Sequence, residues 1–233
     1  MKTLKIICCI LCLLFAGNNI SLAQKKHKPF SGEITYKLSY NNLSEEMSTL
    51  QSILPSNINI YVKDSTILMN ISVFDQSIKI IKNANDDNVI LLFNMAGMTM
   101  ATEISPNDSI ALFNKLKTMS GQTKDTSVIL KENSKTQKIC GYTCQGYDMY
   151  KLDTNGKEQL FATQFICPDF LPWFYNGLVF YIETIGREQQ AMSFVAEITK
   201  ITSKKLSDDI FAVPQNAIRM KLEDLLNSFT GNE

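Results

Sequence analysis

Histidine is almost missing from this chain. The 233 residues contain one, His27, inside a basic N-terminal run with Lys25, Lys26 and Lys28. A catalytic triad built on a histidine base therefore has no candidate within a folded core. An excess of charge is missing too, because 23 basic and 23 acidic residues cancel. Nothing in that balance draws the chain to a nucleic acid, and the four-residue basic run reads as a solvated tail. Cysteine is scarce: of six, Cys8, Cys9 and Cys12 fall in the N-terminal apolar run, leaving Cys140, Cys144 and Cys167. With no histidine beside them, a zinc site of the usual Cys and His type is not expected, nor is any other metal or cofactor. Gly141 and Gly146 have the glycine spacing of a phosphate loop, but Tyr147 and Asp148 follow where Lys and Ser or Thr are required.

Long hydrophobic runs are also absent. The longest candidate, Ile6 to Ala16, has eleven residues, short of the roughly 20 that a membrane-crossing helix needs. Preceded by Lys2 and Lys5 and closed by Ser21, Leu22 and Ala23, it has the layout of a cleavable signal peptide over residues 1–23, cut between Ala23 and Gln24. No small residue precedes Cys8, Cys9 or Cys12 in the way a lipid-anchored cysteine requires. The expected product is periplasmic or secreted and does not span a membrane. Loss of two lysines from the 23 basic residues leaves 21 against 23 acids, a net charge near minus two. Residues 24–233 are enough for one core, and a single domain is expected.

What is present is alternation of period two. Ile34, Tyr36, Leu38 and Tyr40 interleave with Glu33, Thr35, Lys37 and Ser39, the pattern of a half-buried strand. It returns at Ile58–Val62, Ile67–Val73, Ile78–Ile80, Val89–Met95, Met98–Ile104, Thr126–Leu130, Gly146–Leu152, Glu158–Ile166, Leu178–Ile185 and Met192–Ile201, for about ten strands. Strand following strand through short turns argues for an antiparallel sheet. Three helices are predicted as well. The first runs from Ser44 to a stop at Pro55. The second has Ser105 as cap, Pro106 at the first position and Asp108 near the first amides, followed by Ile110, Phe113 and Leu116. The third presents Ile218, Leu222, Leu225 and Phe229 as one stripe. The fold class predicted is mainly β with helices (α+β): a strongly curved antiparallel sheet or incomplete β-barrel, with the helices on its concave side.

Among the cysteines, one disulfide and one leftover thiol are expected of an exported chain. Asn155–Gly156 reads as a two-residue hairpin turn, and counting outward sets Cys144 opposite Cys167, with Gly146 against Phe165, Tyr150 against Phe161 and Leu152 against Gln159. Pairing of Cys140 with Cys144 requires a sharp bend at Gly141. Redox chemistry would need a positive group or a helix start beside a thiol, and neither is evident. The acid pairs Glu45–Glu46, Asp86–Asp87 and Asp208–Asp209 fall at helix starts or turns, where carboxylates cap amides. Two acids could converge from distant strands, so a carboxylate-dependent hydrolase is the third functional reading.

Phe30–Ser31–Gly32–Glu33–Ile34–Thr35–Tyr36, Lys138–Ile139–Cys140–Gly141–Tyr142–Thr143–Cys144 and Asp209–Ile210–Phe211–Ala212–Val213–Pro214 together resemble an exported Bacteroidetes domain of unknown function, kin to the GLPGLI proteins, with a fold like that of the lipoprotein carrier LolA. The resemblance implies an open barrel whose mouth is crossed by helices, an apolar cavity between them, and no catalytic residue. Met95, Met98 and Met100, with soft adaptable side chains, and Phe170, Trp173, Phe174 and Tyr175, crowded around Pro172, are the candidate ligand contacts. Ordinary core strands and loop packing are the alternatives for these two groups. The function expected first is a non-enzymatic protein that binds or shuttles a lipid or acyl chain in the periplasm. A protein-interaction module of the cell envelope, using a sheet edge or the aromatic segment, comes second.

Overall fold

A computed structural model describes residues 30–43, 48, 51, 54–73, 76–95, 97–108, 128–152, 155–174, 177–185 and 193–225. The expected signal peptide and its cleavage site at Ala23 and Gln24 lie outside them. Twelve strands form one sheet: β1 (Gly32–Asn41), β2 (Asn57–Lys63), β3 (Thr66–Val73), β4 (Gln76–Asn83), β5 (Val89–Met95), β6 (Met98–Ile104), β7 (Val128–Ile139), β8 (Tyr142–Leu152), β9 (Glu158–Cys167), β10 (Leu178–Thr184), β11 (Ser193–Ser203) and β12 (Ile218–Arg219). Their order is β12-β6-β5-β4-β3-β2-β1-β11-β10-β9-β8-β7, so the sheet is open, with β12 and β7 at its edges. Neighbours are antiparallel except β12, which runs parallel to β6.

The strand that was not expected is β12, and β7 and β8 are longer than expected for a local reason. Cys140 and Gly141 both take positive φ, 48° and 88°, and join Ile139 to Tyr142 in a two-residue hairpin. That turn carries β7 well beyond Leu130 and starts β8 before Gly146. The next hairpin departs from the expected register in its half nearest the turn. Gly146 does face Phe165, but a bulge at Met149/Tyr150 places Tyr150 opposite Leu160 and Leu152 opposite Glu158. The connection is therefore longer than a two-residue turn, and the pairs Tyr150–Phe161 and Leu152–Gln159 do not form.

Strand phase decides what is buried. On β1, Ile34, Tyr36 and Leu38 are inside, and the registers carry this face to Ile58, Ile60 and Val62, then Ile67, Met69 and Ile71. It continues through Ile78 and Ile80 to Leu91 and Phe93, then to Met98, Met100, Thr102 and Ile104. We call it the Tyr36 face. The opposite phase, Leu68, Ile81, Leu92 and Ala101, is covered by Ile210, Phe211, Val213 and Ala217, so the sheet is layered on both sides in this region.

The C-terminal segment reaches both layers by turning around the sheet edge. Its 3-10 turn Asp208–Phe211 is capped by Ser207 and sits on the Leu68 side. β12 then pairs with β6, the Met220 amide donates to the Ala101 carbonyl at 3.0 Å, and Leu222 and Leu225 pack on Phe93, Met100 and Ile104. Ile218 is thus 45% exposed on an edge strand and does not head a helical stripe. Edge pairing with β6 claims residues 218–219 before a helix can begin. Phe229 lies outside the described residues. At the second predicted helix, Ser105 and Asp108 form a reciprocal cap: the Asp108 amide donates to Ser105 Oγ at 3.2 Å, and the Ser105 amide to Asp108 Oδ2 at 3.0 Å. Ile110, Phe113 and Leu116 lie outside the described residues, as does most of 44–53.

Candidate functional site

The methionines sit where β5 turns into β6. Met95 faces Met98 across the hairpin, which Gly97 closes at φ 79°. Met98 is 47% exposed, whereas Met100 is buried against Phe93 and Leu222. Alternation puts Met98, Met100, Thr102 and Ile104 on the Tyr36 face, so Thr102 is a polar residue at an apolar phase. It is completely buried, and among the described residues its Oγ1 has no hydrogen-bond partner. Beside it Ile78, Ile80, Val89 and Leu91 are only half-buried. The result is a partly open apolar strip containing one unpaired hydroxyl. An unpaired buried hydroxyl costs about 1–3 kcal/mol.

The aromatic segment is built differently. From Cys167 the chain folds into successive tight turns, with the Phe170 amide donating to the Cys167 carbonyl at 3.2 Å and the Phe174 amide to the Leu171 carbonyl at 2.9 Å. Phe170 and Phe174 are buried. The Phe170 ring lies 5.0 Å from Phe30, 4.8 Å from Tyr142 and 5.4 Å from Phe180, centroid to centroid. Trp173 is half-buried on Phe174, and Tyr175 lies outside the described residues. Phe170 and Phe174 are therefore core, packed over the sheet end, rather than an open lip.

The two groups are not brought together. The registers place the β5–β6 turn at the end of the sheet where β1 finishes, and the aromatic turn at the end where β1 starts. At that second end a shallow cavity of about 520 Å³ is lined by Phe30, Ser31, Ser203, Lys204 and Lys205. The Lys204 ammonium is already paired with the Glu33 carboxylate and lies over the Tyr61 ring, so it is not free to hold an anion. Of the acid pairs, Asp208 pairs with Lys63 at 2.6 Å and Asp86 accepts the Asn88 amide at 2.9 Å, while Glu45 and Glu46 lie outside the described residues.

Cys140, Cys144 and Cys167 are free thiols. Cys140 is exposed in its turn, with Sγ 3.4 Å from the Ile198 carbonyl. Cys144 and Cys167 are buried, and the Cys144 thiol donates to the Tyr142 carbonyl at 3.7 Å. The Cys144 contact and the backbone amides of Asp169 and Phe170 hold the Cys167 thiol below its usual pKa, against burial; sharing and burial push Cys144 up. The sequence showed no positive group or helix start here. Amides of the turn after β9 take that role, and they converge only once the chain bends at Pro168. Burial also raises Tyr36, with the Cys144 thiol nearby adding to it.

Comparison with known proteins adds little. No protein-family model matches the chain, and no curated protein matches it. Among solved structures, a LolA superfamily protein from Nitrosomonas europaea aligns over 87% of this chain and 97% of its own, at 10% identity and a TM-score of 0.31. A likeness that distant assigns neither a fold family nor a function.

Proposed function

We propose that this protein binds or carries a hydrophobic ligand, a lipid or acyl chain, in the periplasm and performs no chemistry on it. One observation supports the reading: the strip Ile78, Ile80, Val89 and Leu91 stays half-open on the Tyr36 face, running to exposed Met98. Apolar surface in such a strip gains roughly 25 cal/mol per Å² when covered. A LolA-like barrel with helices on its concave side, export through removal of residues 1–23 and kinship with the GLPGLI proteins all belong to this proposal. The test is mass spectrometry of organic extracts from protein purified without detergent, beside an unrelated periplasmic control. A reproducible lipid near one per protein, lost in a folded Leu91→Glu variant, is expected. A clean extract from folded protein overturns the reading.

The β7 edge favours a second reading, an envelope interaction module. Among the described residues β7 pairs only with β8, leaving its outer edge open on either side of the bulge between Glu132 and Thr136. Lys135 and Lys138 along it discourage self-pairing and suit an acidic extended peptide, whereas Lys131 is paired with Glu158. Copurification of one defined protein with a lipid-free extract would select this reading over the carrier.

A further inference from the structure

The β8–β9 register continues from Gln145↔Ile166 to put Cys144 opposite Cys167. Directly opposed residues on antiparallel strands have α-carbons about 4.5–5.5 Å apart, inside the range of about 4.4–6.8 Å that disulfides span. Cys140, by contrast, leaves the ladder at the β7–β8 turn and reaches toward β11, with its Sγ 3.4 Å from the Ile198 carbonyl. From this register we infer that Cys144 and Cys167 are a reversible dithiol site, closed to a cross-strand disulfide by a low-molecular-weight disulfide such as oxidised glutathione.

Cys167 is the attacking sulfur, since the Cys144 thiol and the amides of the turn after β9 hold its thiol below the usual value. Its thiolate attacks one sulfur of the oxidant, forming a mixed disulfide and expelling one thiolate. Cys144 then loses its proton to solvent and attacks the Cys167 sulfur, expelling the second thiolate. One S–S bond forms in the protein and one breaks in the oxidant, and two electrons pass from the cysteine pair to it. Both sulfurs are buried, so reaction waits on local opening of the turn that covers them. The bond would tie β8 to β9 at the root of the aromatic turn, because the Cys167 carbonyl accepts the Phe170 amide.

The experiment uses the full chain and its Cys140→Ser variant, each treated with oxidised glutathione while folded, alkylated, and digested with trypsin without reduction. Cleavage at Lys138, Lys151, Lys157 and Arg187 separates residues 139–151 from 158–187. A cross-link between those two peptides, with loss of two hydrogens, is expected in both proteins, leaving Cys140 of the unsubstituted chain alkylated or glutathionylated. The melting temperature of the oxidised form should rise by about 5–10 °C, and Cys144→Ser or Cys167→Ser should remove both signals. The inference is overturned if Cys144 and Cys167 stay alkylatable upon unfolding once Cys140 has reacted fully, or if the bond maps to Cys140.

Discussion

A buried tyrosine joins two distant strands of this sheet. The Tyr36 hydroxyl on β1 donates to the Val179 carbonyl on β10, with β11 between them, and the ring is almost wholly inaccessible. Replacement by phenylalanine strands that carbonyl, and urea denaturation should show a loss of about 1–3 kcal/mol. The same burial sets an alkaline limit. Tyr36 and Tyr40 are both raised above the ordinary tyrosine value by desolvation, so the unfolded chain releases these protons first, from about pH 10. Their stabilisation is intact below that pH and lost as pH rises above it, at about 1.4 kcal/mol per pH unit for each tyrosine. Denaturation midpoints should fall steeply above pH 10, and Tyr36→Phe should flatten the fall. Gly177 is a second fixed point: at φ 122° its missing Cβ would lie 2.6 Å from the Cys167 carbonyl oxygen. Gly177→Ala should cost about 2–3 kcal/mol in the same assay.

At the scale of elements, the C-terminal segment acts as a strap around the β6 edge. Its turn at 208–211 covers one face, β12 satisfies part of the edge, and Leu222 with Leu225 covers the other face. Leu225→Ala should lose about 2–4 kcal/mol, because the cavity opens beneath a residue already 3% exposed. Calorimetry reads that loss. The capping box at Ser105 and the alternation of β1 to β6 were legible from sequence, since both are set by neighbours a few residues apart. The bulge at Met149/Tyr150 was not. It shifts the hairpin register by one residue between Cys144 and the turn, yet leaves Cys144 opposite Cys167 because the shift occurs on the turn side. The expected facing of these cysteines thus survives a misplaced turn.

Across the whole molecule, the organising contact is the pairing of β1 with β11. Thr199 Oγ1 lies 3.3 Å from the Thr35 carbonyl across 164 residues of sequence. Closing such a separation comes late and slowly, so refolding from urea should take milliseconds to seconds. Stopped-flow fluorescence of Trp173 measures it, and microsecond refolding would show that the central pairing is not rate-limiting. In hydrogen exchange, amides of β1, β2 and β11 should be protected longest and those on the outer edge of β7 least.

The amino-acid sequence by itself determined the strand character of nearly every β element and the side chains that share its faces, because pleat alternation is a local property of the backbone. It also determined the supply of reactive side chains, with a single histidine at His27. Only the tertiary structure decided that Met98 and Phe170 stand at opposite ends of the sheet, that Phe170 and Phe174 are core, and that Thr102 is buried without a partner among the described residues. Those outcomes depend on strand order and register, and these are set by burial between segments more than a hundred residues apart, which no local pattern records.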